Sequence, residues 1–306
     1  MGPDPLTALP RPLGPRLMQV ASLLGHAHVE MAVLGLGSLL RSSAEPLALR
    51  LHDDGSLTAA DCERLGAALG EPAIVPRPAA DERVAEVLAR RPALAAFRRR
   101  NPLALKLVDA VLYAGGELAY CDTDVLFFRR FSGLFRLPEG AGALFMHDRQ
   151  NAYSVRSWHL LRHRRLRLAR RVNTGIVVFR TAGYDPDLLE WYLARPEFGF
   201  APVWAEQTAW ALLGQAAGCR LLDPAQVAIP VAGEIPAAAT AGPVALHFVS
   251  PVRALLPLYA PLAAAPPDGP PVALRSRPAG RCRAPELAVT ELARRLPRRL
   301  RRRRGP

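Results

Sequence analysis

Lysine is almost missing from this sequence: Lys106 is the single one, against 39 arginines, in a chain heavy in alanine and with 30 prolines. Such a skew follows genome composition bias, so the number of arginines carries little functional weight. No C-x-x-C spacing occurs among Cys62, Cys121, Cys219 and Cys282, and two of them sit inside apolar runs, as structural thiols of a reducing compartment do. No uninterrupted apolar stretch reaches ~18 residues, so no transmembrane segment is expected. The N-terminus, MGPDPLTALPRPLGPR, is broken by proline and lacks the apolar core of a signal peptide. A cytoplasmic location is the expectation, extended by peripheral contact of an arginine-rich tail with anionic membrane.

What is present bounds the fold. With 306 residues, half of them hydrophobic, the chain can bury one sizeable core. The net charge of +13 is concentrated in 162–171 and in 294–304, the latter with eight arginines, and a field of that sign attracts nucleotides, nucleic acid, acidic glycans or anionic membrane. Composition divides the chain into a Pro-rich lead-in (1–15), an α/β domain (16–258), and an Ala/Pro linker with an Arg-rich tail (259–306). Within the last part, 261–285 reads as linker, a short helix is expected near 286–296, and the basic end reads as disordered.

Strand and helix patterns alternate from Leu17 onward. Leu17–Leu24 reads as a strand and Ala27–Leu40 as a helix; Leu47, Leu49 and Leu51 alternate as a second strand. Thr58 with Asp61 three residues on predicts a helix start, and Gly70 its end. Asp53 and Asp54 fall in the turn DDGS, where turn chemistry accounts for them. Between Arg129 and Arg171 lie a short strand, Ala143–Met146, and a basic segment with Tyr153 and Trp158 that reads first as a solvated helix face and second as an acceptor-binding excursion or lid.

The most informative stretch is ELAYCDTDVLFF, residues 117–128. It reads as a buried strand that ends in Asp122 and Asp124. Paired carboxylates at a strand end are hard oxygen ligands for Mg²⁺ or Mn²⁺, and such an ion commonly keeps substrate phosphates as further ligands. A D-x-D pair alone means little, and Asp185-Pro186-Asp187 is a second one, explained as a helix N-cap followed by Pro. Context separates the two. Before the first pair stand a Gly115-Gly116 break and a helix, 103–114, whose Lys106, Asp109 and Tyr113 share a face. Lys106 and Asp109 there form either a surface pair or a contact to a donor's phosphates or sugar.

Farther on, VNTGIVVFR (172–180) reads as a strand that opens with Asn173 and Gly175, and a helix begins near Glu206-Gln207. In the strand 244–249, His247 faces away from Val244, Leu246 and Phe248. A lone histidine there is more often a satisfied core residue than a ligand. Arg253 follows six residues later and carries the charge a leaving diphosphate needs.

This order of residues resembles the GT-A nucleotide-sugar transferases, most closely the family-8-like glycogenin and lipopolysaccharide galactosyltransferase group, over roughly 17–253. The resemblance implies an α/β, Rossmann-like GT-A mixed sheet flanked by helices. It also implies a metal site of Asp122, Asp124 and His247, and donor contacts from Lys106, Asp109, Asn173, Thr174, Gly175, Glu206 and Gln207. Gln207 and Arg253 are the implied catalytic residues, with retention at the anomeric carbon. The piece LVDAVLYAGG is also similar to the Och-type mannosyltransferases. Three departures stand out: Glu206 where Asp is usual, Arg253 where Lys is usual, and a first strand without the acidic turn that contacts the nucleobase.

The resulting expectation is a glycosyltransferase using Mn²⁺ or Mg²⁺, a nucleotide-diphospho-sugar donor, and a glycan, lipid or small-molecule acceptor. Two rivals are a nucleotidyltransferase, for which LGHAH (24–28) lacks a Gly-rich basic signature, and a non-enzymatic basic protein that binds nucleic acid or anionic surfaces.

Overall fold

The apolar run after Leu17 forms the first strand, β1 (Met18–Leu24), in the computed structural model, which describes residues 17–230, 242–265 and 268–295. Helix α1 (Val29–Ser42) crosses to β2 (Leu47–Asp53), and α2 (Ala59–Leu69) to the short β3 (Ala73–Val75). These strands run parallel, as helix crossovers require. Helix α2 begins at the Thr58/Asp61 capping box and stops at Gly70, whose φ of 74° suits glycine. Helices α3 (Arg77–Ala89), α4 (Pro92–Arg100) and α5 (Ala104–Tyr113) then lead to β4 (Glu117–Cys121), which lies parallel to β1.

Past Asp122-Thr123-Asp124 the chain leaves the main sheet as β5 (Val125–Phe127) and β6 (Phe131–Ser132), then re-enters as β7 (Ala143–His147). A one-turn helix α6 (His159–Arg162) precedes β8 (Val172–Arg180), which runs antiparallel between β4 and β7. Helices α7 (Pro186–Leu193) and α8 (Ala205–Ala217) follow, then β9 (Cys219–Leu222), β10 (Val227–Ala228) and β11 (Ala245–His247). The chain continues through α9 (Leu256–Ala264), β12 (Val272–Ala273), β13 (Ser276–Pro278) and α10 (Ala284–Arg295). The main sheet has the order β13-β9-β7-β8-β4-β1-β2-β3, and a small second sheet has the order β10-β11-β5.

Two stretches differ from their sequence reading. Within 261–285, read as linker, β13 pairs with β9 at the sheet edge and β12 pairs with β6. Strands of two or three residues are held by main-chain pairing and show no apolar alternation, so periodicity cannot reveal them. The helix expected near 286–296 is α10, and it buries Leu287. The segment 148–171 holds only the four-residue α6, and Tyr153, Val155, Leu166 and Leu168 insert into the core, so a solvated helix face describes little of it. The lead-in 1–15 and the tail beyond Arg295 lie outside the described residues.

One apolar layer, with Val108, Tyr120, Phe145, Phe179 and Trp210, fills the sheet face under α5 and α8. The other, with Val20, Leu36, Leu49, Phe127 and Ile176, fills the face under α1 and α2. The second layer braces the acidic turn. Gly35 of α1 lies against the Thr123 carbonyl so closely that a Cβ would collide with it. One turn on, the Ser38 hydroxyl donates to Gly35 O (2.7 Å) and accepts from Phe127 N–H (3.0 Å), while the Ser22 hydroxyl donates to Cys121 O (2.7 Å). Alanine is the better helix former, but here its methyl meets main chain that is pinned from both sides. Gly35→Ala is therefore expected to destabilise the fold by about 1–3 kcal/mol in urea denaturation; unchanged or raised stability would mean that α1 can retreat from the turn.

Candidate active site

The carboxyl ends of β2, β1 and β4 open on one edge of the sheet, where ligands bind in open α/β folds. A cavity of about 380 Å³ lies there, and Asp122, Asp124, His247, Lys106, Asn173, Thr174, Glu206, Gln207 and Arg253 all line it.

Register assembles the centre. In the small sheet β11 runs antiparallel to β5 with His247 opposite Val125, and Phe248 N–H donates to Asp124 O (2.8 Å). His247 Nε2 thereby reaches 3.0 Å from Asp124 Oδ1 and 3.7 Å from Asp122 Oδ2. One ligand atom from each of the three side chains lies within 4.8 Å of the others, a spacing that a single ion with bonds of about 2–2.3 Å can bridge. Two carboxylates and an imidazole make a mixed O/N set, which suits Mn²⁺ better than Mg²⁺, an ion that prefers oxygen throughout.

The other face of the imidazole decides which nitrogen is offered. Asn173 Oδ1 accepts Gly175 N–H (3.0 Å), so it is an acceptor, and His247 Nδ1 at 2.9 Å must be the donor to it. Nε2 is left to face the acids, the arrangement in which metal-binding histidines are held. Gly175 is needed for this contact, because a Cβ there would collide with the His247 ring. The pairing of β7 with β8 jumps from Phe145↔Val177 to Met146↔Asn173, which leaves Thr174–Ile176 unpaired on that side; on the other side Asp122 N–H donates to Gly175 O (2.7 Å), one step beyond the Cys121↔Ile176 pair of β4 and β8.

Lys106 lies beneath the acids, 2 % exposed. Its Nζ stands 3.3 Å from both oxygens of Asp122 and 3.4 Å from Glu206 Oε1, and it donates to Thr174 O (3.0 Å) and Oγ1 (3.1 Å). Burial lowers its pKa, but Asp122 and Glu206 outweigh burial and the net shift is upward, so it stays charged. Asp109, on the same helix, does not join the cavity. Arg98 grips it with Nη2 at 2.6 Å and Nε at 2.8 Å, so neither a Lys106–Asp109 pair nor a cavity contact forms. Thr174 Oγ1 in turn lies 3.2 Å from Glu206 Oε2. Burial raises Glu206 to about 7, with Lys106 opposing it.

On the outer side Arg253 donates twice to Asp124 Oδ2 (2.7 and 3.1 Å), and its side chain is 46 % exposed. Burial alone would raise the Asp124 pKa; His247 and Arg253 outweigh it and bring the value down to about 2. Burial likewise lowers His247, yet Asp124 and Asp122 reverse this and hold it above its ordinary 6.5.

Two residues that sequence reasoning passed over belong here. Tyr120, buried in β4, donates its hydroxyl to Asp122 Oδ1 (2.8 Å). Asp148, just past β7, accepts from Gln207 Nε2 (3.3 Å), Asn173 Nδ2 (3.4 Å) and Gln150 N–H (3.0 Å), and burial raises its pKa. Tyr120 was legible as the residue two before the acid, on its face of the strand. Asp148 depends on the irregular β7–β8 register and left no local signal. The second D-x-D is structural, as expected: Asp185 caps α7 through Leu188 N–H (2.8 Å) and Asp187 pairs with Arg91 (2.8 Å).

No protein-family model matches this sequence, and no curated protein matches it. Solved structures do. Mouse xyloside xylosyltransferase 1 aligns with 78 % of this chain and 99 % of its own at 13 % identity, with a TM-score of 0.52. The galactosyltransferase LgtC, with donor and acceptor sugar analogues, aligns with 83 % of this chain and 98 % of its own at 12 % identity, TM-score 0.49. The glycosyltransferase GlyE of Streptococcus pneumoniae aligns with 80 % of this chain and 60 % of its own at 11 % identity, TM-score 0.48. The likeness to the first shows the fold: this chain has the mixed α/β sheet of the GT-A glycosyltransferases.

A proton and a metal ion compete for His247 Nε2, and Asp124 and Asp122 raise its pKa above the ordinary value and so strengthen its hold on the proton. Mn²⁺ binding is expected to release a proton and to tighten as pH rises through that pKa, read by calorimetry in two buffers of different ionisation heat. His247→Ala is expected to remove the release; proton release that survives the substitution would mean that the ion binds elsewhere.

Proposed function

We propose that this protein is a metal-dependent glycosyltransferase that moves a sugar from a nucleotide-diphospho-sugar to a glycan, lipid or small-molecule acceptor. The observation that carries it is the meeting of Asp122, Asp124 and His247 at the head of a cavity on the carboxyl edge of the sheet. The GT-A fold supports it. Charge supports it too. Once His247 is neutral the acids of the site outnumber its bases, so the site attracts a cation. A divalent one, held by Asp122, Asp124 and His247, supplies positive charge to the diphosphate that leaves.

On this reading Arg253, nearly half exposed, turns its unused N–H donors to the phosphate oxygens. Lys106 acts from below, holding the Asp122 carboxylate in position, and is too enclosed by Asp122, Thr174 and Glu206 to meet a phosphate first. Asn173 holds His247 and keeps one amide hydrogen for a sugar hydroxyl, since only its other interactions engage Gly175, His247 and Asp148. Thr174 and Gly175 set the distance between β8 and the ring of His247. Gln207 is anchored through its amide nitrogen to Asp148 and Ala152 O, which leaves its Oε1 as an acceptor facing the sugar, with Glu206 behind it. The resemblance noted in the sequence implies retention of anomeric configuration.

A panel of nucleotide sugars with and without Mn²⁺ tests this by donor hydrolysis and by transfer to simple acceptors. One donor is expected to turn over in a metal-dependent way. Asp124→Asn and His247→Ala should lower kcat by at least roughly 10²-fold, and Arg253→Ala by a similar factor. Failure of every nucleotide sugar to bind, or turnover indifferent to Asp124→Asn, would remove the transferase reading.

A further inference from the structure

Aromatic rings with an arginine laid against them recur along one flank of the molecule, and the first of them stands in the wall of the cavity. Trp204 and its neighbour Val203 line that cavity just before α8 begins, three residues ahead of Gln207. The guanidinium carbon of Arg294, on α10, lies 3.1 Å from the centre of the Trp204 ring. Phe200, 36 % exposed, carries Arg156 at 4.0 Å, and Trp158, 42 % exposed, carries Arg162 at 5.7 Å.

The three pairs share one surface. On α10, Glu291 stands one turn before Arg294, and its carboxylate accepts the N–H of Ser157, the residue between Arg156 and Trp158. The helix thus joins the Trp204 end to the Trp158 end, and the contact of Arg156 with Phe200 closes the circuit through the loop before α8. The main chain beneath is held in place. Thr208 Oγ1 donates to Trp204 O (2.7 Å) and accepts Ser154 N–H (2.8 Å), while His159 Nδ1 accepts Arg156 N–H (3.0 Å). Below them His159 and Phe198, both buried, meet edge to face with ring centres 5.1 Å apart.

An arginine beside an exposed ring offers planar apolar surface and a fork of charged N–H donors together. Among the described residues neither Arg156 nor Arg162 has an ion-pair partner, and the Glu291 carboxylate is engaged by Ser157. Positive charge is therefore left over on this flank. Successive rings suit the apolar C–H faces of successive sugars, and the guanidinium groups suit carboxylate, sulfate or phosphate substituents on them. The series starts inside the cavity, where the end of an acceptor chain has to enter. We propose that this flank is the acceptor track and that the acceptor is an acidic oligosaccharide, its reacting end beside Trp204 and its anionic sugars extending over Phe200 and Trp158. This rests on the transferase proposal and adds the acceptor's class to it. Single-stranded nucleic acid also combines stacking with negative charge, and serves as the competing ligand in the test.

Calorimetry on the full chain compares oligogalacturonate and heparin-derived hexasaccharides with neutral cellohexaose and a single-stranded DNA hexamer. At least one acidic hexasaccharide is expected to bind roughly tenfold or more tighter than cellohexaose, with an affinity that falls as salt is added. Arg156→Gln combined with Arg162→Gln should weaken that ligand about tenfold and leave cellohexaose within about twofold, whereas Trp158→Ala should weaken both saccharides. These side chains are wholly or partly exposed, so the fold survives their loss, read by an unchanged Tm. Acidic saccharide binding indifferent to the paired arginine substitutions would belong to other arginines and overturns the proposal. So does cellohexaose binding as tightly, or a DNA hexamer that binds tighter than every acidic saccharide and is weakened by the same substitutions. Nucleotide sugars with Mn²⁺ are titrated in parallel: if they bind and no acidic saccharide does, the acceptor class alone falls. If no nucleotide sugar binds while the acidic saccharide does, the transferase reading falls, and the acceptor role with it.

Discussion

Two carboxylates and an imidazole whose ligand atoms lie within 4.8 Å of one another are the constraint around which this protein is built. At that separation two like charges repel by roughly 3 kcal/mol even at an effective dielectric constant near 20, a sizeable share of the stability of an ordinary domain. The fold surrounds the pair with positive charge from three directions: Lys106 below, His247 beside and Arg253 outside. Each comes from a different part of the chain. The contacts that bring them there are main-chain ones: β4 beside β8, β5 against β11, and Gly35 of α1 pressed on the turn between the acids.

Much of the α/β order was legible because period and capping are local. The capping box at Thr58, the stop at Gly70 and the cap at Asp185 follow from short-range chemistry and stand as expected. Asp122 and Asp124 were visible as acids closing an apolar run, and His247 as the odd side of a strand. What periodicity could not show is that β11 pairs with β5, which is what sets His247 opposite Val125. The same holds for Asp148, placed by an irregularity between β7 and β8, and for Asp109, taken by Arg98 eleven residues earlier on another helix. The C-terminal strands β12 and β13 carry no signal in the sequence because two- and three-residue strands borrow their order from the partner they pair with.

Where the sequence departs from the pattern it resembles, the changes have physical consequences. Glu206 has one methylene more than the usual Asp, and it lies deep enough that burial lifts it to about 7, so it titrates in the working range instead of standing as a fixed charge. Arginine at 253 brings a planar guanidinium that grips Asp124 Oδ2 through two N–H groups (2.7 and 3.1 Å) and keeps further donors on its exposed side, which a lysine ammonium in its place would not offer in that fork.

The central claim is that the nitrogen of His247 and the two carboxylates hold one metal ion together. Pulsed electron paramagnetic resonance of protein-bound Mn²⁺ reads this directly, through the coupling of the electron spin to a ligating ¹⁴N nucleus. The account predicts such a coupling in the wild-type protein and its disappearance in His247→Ala, with Mn²⁺ still bound weakly by Asp122 and Asp124. A spectrum with no ¹⁴N coupling, or one that His247→Ala leaves unchanged, would contradict it.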